Sequence, residues 1–95
     1  MNNIVYKYTL NPVRGKVQPV RMPMTADVLD AQFQDGNFVL WASVYDEYES
    51  KEIKENRWFI ILFTGEKTRE CLKEHIATLQ LHGLVYHIFE VGSCH

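Results

Sequence analysis

Between Val28 and Val44 the chain reads VLDAQFQDGNFVLWASV, and apolar and polar positions alternate on both sides of Asp35-Gly36. Alternation by two marks a strand with one wet face, and a two-residue Asp-Gly loop suits the type I′ turn whose twist matches that of paired strands. The stretch therefore predicts a β-hairpin in which Phe33 faces Phe38, Ala31 faces Leu40 and Leu29 faces Ala42. One side then carries Leu29, Ala31, Phe33, Phe38, Leu40, Ala42 and Val44, and the other carries Asp30, Gln32, Gln34, Asn37 and Ser43. Sliding the register by one residue would turn the apolar set outward, so turn and pattern specify the same pairing independently.

The same period recurs elsewhere. Ile4 to Leu10, IVYKYTL, predicts a strand, and Asn11-Pro12 with Gly15 predicts the turn after it. Lys16 to Met22 predicts a return strand, but Pro19 has no amide proton for a central ladder and so belongs on an edge or at a bulge. Arg57 to Thr64, RWFIILFT, is apolar without alternation, as expected of a central strand covered on both faces. Ile76 to Leu81 and Leu84 to Val91 flank His82-Gly83 as a second hairpin, with Leu81 opposite Leu84, Leu79 opposite Tyr86 and Ala77 opposite Ile88. Two stretches carry no strand signal. Asp46 to Glu55, with five acidic and two lysine side chains, predicts a solvated loop. Glu66 to His75, EKTRECLKEH, leaves a short helix near 67–75, capped by Thr68, in balance with an irregular loop. The expected fold is all-β, or α+β if that helix forms: a single antiparallel sheet of six or seven strands curled into a small barrel or sandwich, in one domain spanning residues 1–95.

Composition adds bounds rather than a function. A net charge of −2 and a pI near 6.0 give no overall attraction to phosphate backbones or anionic lipid. The longest apolar run, Trp58 to Phe63, is far below the roughly 20 residues of a spanning helix, so no membrane role is expected. The start, Met1-Asn2-Asn3-Ile4, has neither a basic leader nor an apolar run of signal length, which points to the cytoplasm and to free thiols at Cys71 and Cys94.

The chemistry-bearing residues do not converge. Cys71, His75, His82 and His87 could be assembled into a zinc site only on paper, because His82 belongs to a turn and His87 to a strand. Cys71 lacks a nucleophile's flanking signature. Carboxylate pairs such as Glu47 with Glu49, or Glu90 with Asp30, mean nothing without a cleft. The five glycines are scattered at turns rather than gathered into a phosphate loop. No catalytic residue, cofactor or metal is expected. Nucleic acid is not the favoured partner: Tyr6, Tyr8, Trp41, Trp58 and Tyr86 could stack bases, yet only Lys7, Arg14, Lys16 and Arg21 supply charge nearby. Val39 and Trp41, by contrast, fall on the polar side of the first hairpin. They call for coverage by another strand, with Arg57 to Thr64 the natural one, or by a partner. These two, with Glu47, Glu49 and Glu52 of the acidic loop and with Arg69 and Lys73 of the mixed one, are the candidate partner contacts, since function tends to sit on loops held by a rigid scaffold.

Two blocks carry a resemblance. Val20 to Val44, with Met22-Pro23, Ala26, Asp35-Gly36 and Leu40-Trp41-Ala42, is similar to a family of small, mostly phage-encoded proteins of unknown function. So are Arg57 to Glu66, with Thr64-Gly65, and Ala77 to Glu90, ending in Val85-Tyr86-His87-Ile88-Phe89-Glu90. The opening Tyr6-Lys7-Tyr8 also fits. The chain departs from the family where a proline often follows Thr-Gly, since Lys67 follows Glu66 here, and in its longer acidic loop. The resemblance implies phage origin and no known activity. The expectation is a non-enzymatic accessory protein that binds a host or phage protein, as an inhibitor of a host process, or that pairs with itself as a homodimer. A single-stranded nucleic-acid-binding barrel and a small-molecule binder are the alternatives.

Overall fold

The computed structural model describes residues 2–45 and 53–94. Among these residues there are seven strands: β1 (Asn3–Leu10), β2 (Gln18–Pro23), β3 (Asp27–Gln34), β4 (Asn37–Tyr45), β5 (Lys54–Phe63), β6 (Cys71–Leu81) and β7 (Leu84–Gly92). They divide into two antiparallel sheets, one ordered β1-β4-β3 and the other β2-β5-β7-β6. The expected single curled sheet is therefore corrected to two stacked layers. The physical reason is that the ladders end at β1 and β3 on one side and at β2 and β6 on the other, and the shared apolar core is buried by facing the two sheets rather than by joining their edges.

Both hairpins form at the expected turns. Asp35 and Gly36 have φ of 49° and 85°, and His82 and Gly83 have 51° and 80°. Two successive positive φ values make a type I′ turn in each case. Phe33 pairs with Phe38 and Ala31 with Leu40, as the alternation requires. The expected Leu29–Ala42 pair is not made: a bulge between Val28 and Asp30 puts Val28 opposite Ala42 and leaves Leu29 exposed. In the second hairpin Leu81 pairs with Leu84, Leu79 with Tyr86 and Ala77 with Ile88. Pro19 lies on β2, an edge strand, as its missing amide proton demands.

No helix forms among the described residues, and none there is long and apolar enough to cross a membrane. The region expected as a helix or loop divides instead: residues 64–70 are irregular and β6 begins at Cys71. Pairing with β7 overrides the helical leaning, and bulges between Leu72 and Glu74 and between His75 and Ala77 hide the strand's alternation.

The main core lies between the sheets and includes Leu10, Met22, Ala31, Leu40, Phe59 and Ile88. A second cluster, Ile60, Leu62 and Val91 with Val17 and Phe89, lies on the outer face of the four-stranded sheet. Chain path explains its burial. Phe63 ends β5 opposite Tyr86, whereas Cys71 opens β6 opposite Gly92. Residues 64–70 must therefore run back along β7, and the inner face is already filled by the other sheet, so they cross the outer one. The 11–17 segment holds them there. The Gly15 amide donates to the Ile61 carbonyl at 2.7 Å, Arg14 meets Glu66 at 2.7 Å, and the Arg14 guanidinium stacks on the Phe63 ring. A Cβ at Gly15 would fall 2.7 Å from the Glu66 carboxylate, and its φ of 80° disfavours any other residue as well.

Candidate functional site

Antiparallel partners that lie directly opposite share a face, so the register fixes the content of each outer surface. Across the four-stranded sheet Pro19 faces Trp58, Trp58 faces Val91, and Val91 faces Leu72. One apolar row therefore crosses all four strands. Trp58 is 44% exposed and Leu72 42%, while Val91 between them is nearly covered. The next row inward, Ile60, Phe89 and His75, belongs largely to the second cluster. Two adjoining recesses border the exposed row: one of about 350 Å³ is lined by Val17, Trp58, Glu70 and Val91, and one of about 320 Å³ by Leu72 and Lys73, with Gly92 and Ser93 common to both.

The end of this row is closed by Cys71 and Cys94, which are disulfide-bonded with Cα atoms 5.5 Å apart. The expectation of free thiols is corrected here. Pairing of Cys71 with Gly92 brings Cys94, two residues further on, alongside it. Cys71 is thereby removed from any metal set or nucleophile role.

The remaining histidine chemistry is a surface hydrogen-bond chain. The Thr78 hydroxyl lies 2.8 Å from His75 Nε2 and 3.1 Å from His87 Nδ1, and His87 Nε2 lies 2.7 Å from the Thr64 hydroxyl. His82 is apart from them in its turn, and no group of three or more metal-ligating side chains converges among the described residues.

Between the layers, Arg57 donates from Nε and Nη2 to the two oxygens of Glu90 at 2.7 and 2.8 Å, and from Nη1 to the Ala26 carbonyl. The hydrogen bond to Glu90 raises the guanidinium pKa further above its ordinary value, outweighing the opposing effect of burial. A polar recess of about 160 Å³ adjoins the pair, with Asp27, Lys73 and Glu74 around it. Each of the three guanidinium nitrogens already donates, so the arrangement ties β5 and β7 to the turn before β3.

The other residues expected to meet a partner are spread out. Val39, only 3% exposed, sits between Thr9 and Gln32 on the outer face of the three-stranded sheet. Half-buried Trp41 sits beside it, between Lys7 and Asp30. Arg57 to Thr64 does not cover them, because β5 is central in the opposite sheet and turns its own faces elsewhere. Arg69 is exposed on the crossing segment, and Lys73 lies over Gly92 at the row's edge. Glu47, Glu49 and Glu52 lie outside the described residues. The five aromatics considered for base stacking do not share a platform. Tyr6 and Tyr8 pack on the main core, Tyr86 is against Phe38 and Phe63, and the two tryptophans are on opposite outer faces.

Sequence reasoning missed Trp58 and Leu72 as surface groups. Trp58 was hidden in an unbroken apolar run, and Leu72 in a stretch whose period is broken by bulges. The signal available was Pro19: an edge-strand proline opposite a tryptophan marks a row that reaches the sheet's border.

Taken together, these features define a two-layer antiparallel β-sandwich with an apolar row on the outer face of its four-stranded sheet. The family described as Domain of unknown function (DUF7352) matches residues 1–94, and the chain belongs to it. No curated protein and no solved structure matches the chain.

Proposed function

We propose that this is a non-enzymatic phage accessory protein that binds a host or phage protein through the outer face of its four-stranded sheet, with Trp58 at the centre of the contact. The observation that carries this reading is the row Pro19, Trp58, Val91 and Leu72. A tryptophan side chain offers on the order of 250 Å². The exposed part of Trp58 then corresponds to about 110 Å², or ~3 kcal/mol on being covered at ~25 cal/mol per Å². Tryptophans in such settings dominate binding energy when ringed by residues that exclude water, and Arg21, Glu70 and Lys73 around the row would supply that rim. The partner is a protein segment that places an aliphatic or aromatic side chain in the recess beside Trp58 and Val17. Action on a host process is what the resemblance to phage-encoded proteins implies, rather than the site.

The test is capture from host lysate with wild type and with Trp58→Glu, after circular dichroism shows that both are folded. A protein retained by wild type and lost from Trp58→Glu, with binding reproduced by the purified pair, is the expected result. Capture of the same proteins by both, or of none by wild type, would overturn the reading.

A further inference from the structure

We propose that the chain also forms a two-fold dimer with a second copy of itself through β1, the two three-stranded sheets continuing as one six-stranded sheet. Among the described residues, the four edge strands differ in how they are guarded. β2 carries Pro19 and Pro23, β3 is bulged and carries Asp27 and Asp30, and β6 is bulged twice and carries Lys73 and Glu74. Prolines, bulges and charges are the usual devices that stop strand addition. β1 has none but Lys7, and its register with β4 runs unbroken from Asn3–Tyr45 to Leu10–Phe38.

Among the described residues the core is also less fully covered along this strand. Inward residues on β4, such as Leu40 and Ala42, are fully buried, whereas Ile4, Tyr6 and Tyr8 on β1 are only half-buried although they pack on the same core. A second β1 would bring its own Ile4, Tyr6 and Tyr8 to extend that row, so the same strand supplies the complement.

Symmetry selects the register. A two-fold axis through the sheet must place each residue opposite one on the same face, so paired positions differ by an even number. Centring on Lys7 would oppose two ammonium groups, which is unfavourable. Centring on Tyr6 pairs Asn3 with Thr9, Ile4 with Tyr8, and Val5 with the aliphatic stem of Lys7. Val5 is 56% exposed and gains cover there. The single lysine thus excludes one register instead of blocking the edge, and the Tyr6-centred register pairs more of β1, Asn3 to Thr9, than one centred on Val5 or Tyr8.

Sedimentation and light scattering across a concentration series test this with the intact chain. Wild type should approach twice its 11.2 kDa mass. Val5→Lys sets like charges opposite in both symmetric pairs and should weaken the dimer by roughly tenfold or more. Val5→Glu should strengthen it, and Val5→Lys with Lys7→Glu should restore it. Val5 is exposed, so these variants leave the fold intact. A wild type that stays monomeric at every concentration, or a dimer indifferent to all three variants, would overturn the proposal. Trp58 is on the other sheet, so either result leaves the partner-binding reading to its own test.

Discussion

Removing either half of the Arg57–Glu90 pair should destabilise the protein more than removing both. The pair is mostly buried, with side-chain exposures of 15% and 10%, and both carboxylate oxygens are engaged. Glu90→Leu leaves a guanidinium held only by the Ala26 carbonyl. Arg57→Met leaves a carboxylate stripped of both donors and also frees that carbonyl. Breaking a buried pair from one side costs about 3 kcal/mol or more. The double variant leaves only the carbonyl without its donor, at a cost of about 2 kcal/mol, so the coupling between the two sites should be about 4 kcal/mol or more. Because hydrogen bonding raises the Arg57 pKa, the guanidinium's contribution is complete below its ordinary value and is lost only above it. The charge on Arg57 therefore stays constant through the neutral range. Urea denaturation of the four proteins at neutral pH, followed by circular dichroism, measures the cycle. If the double variant loses as much as the two single variants combined, the pair does not act as a unit and the reasoning fails.

Three further outcomes follow from the same geometry. Reduction of Cys71–Cys94, or Cys94→Ser, should lower unfolding free energy by about 3 kcal/mol in the chain-entropy picture, given the sequence separation of 23. Denaturation with and without reductant measures this, and equal midpoints would mean the bridge constrains nothing. Ile60→Ala should cost about 3 kcal/mol or more, because Ile60 is fully buried although it faces outward. Leu72→Ala, on the same face but exposed, should cost less than about 1 kcal/mol, so similar losses in thermal melts would show that the crossing segment does not seal the second cluster. Finally, the Phe63 amide and then Arg14 lower the Glu66 pKa, so its contribution is present above the ordinary carboxylate range and disappears as pH falls through the lowered value. Glu66→Gln should therefore flatten the acid limb of a stability-against-pH curve, and an unchanged limb would remove Glu66 from the account.

The two hairpins were legible from the chain alone because their information is local. Asp35-Gly36 and His82-Gly83 provide the positive φ values, and the alternation beside them sets the pairing. The central position of β5 was equally legible, since Phe59, Ile60, Ile61 and Leu62 must all be covered and only a strand with neighbours on both faces achieves that. Three things were decided only by tertiary structure. The strands divide between two layers because pairings such as β1 with β4 and β2 with β5 join distant segments and leave no local trace. The first part of β6, Cys71 to His75, was unreadable because two bulges shift its alternation while its residues favour helix, and only its ladder with β7 overrides them. The surface row around Trp58 and the Cys71–Cys94 bridge exist because register brings together residues that are far apart in sequence. Local backbone chemistry could specify turns and strands, but which face meets water depends on what the rest of the chain has already covered.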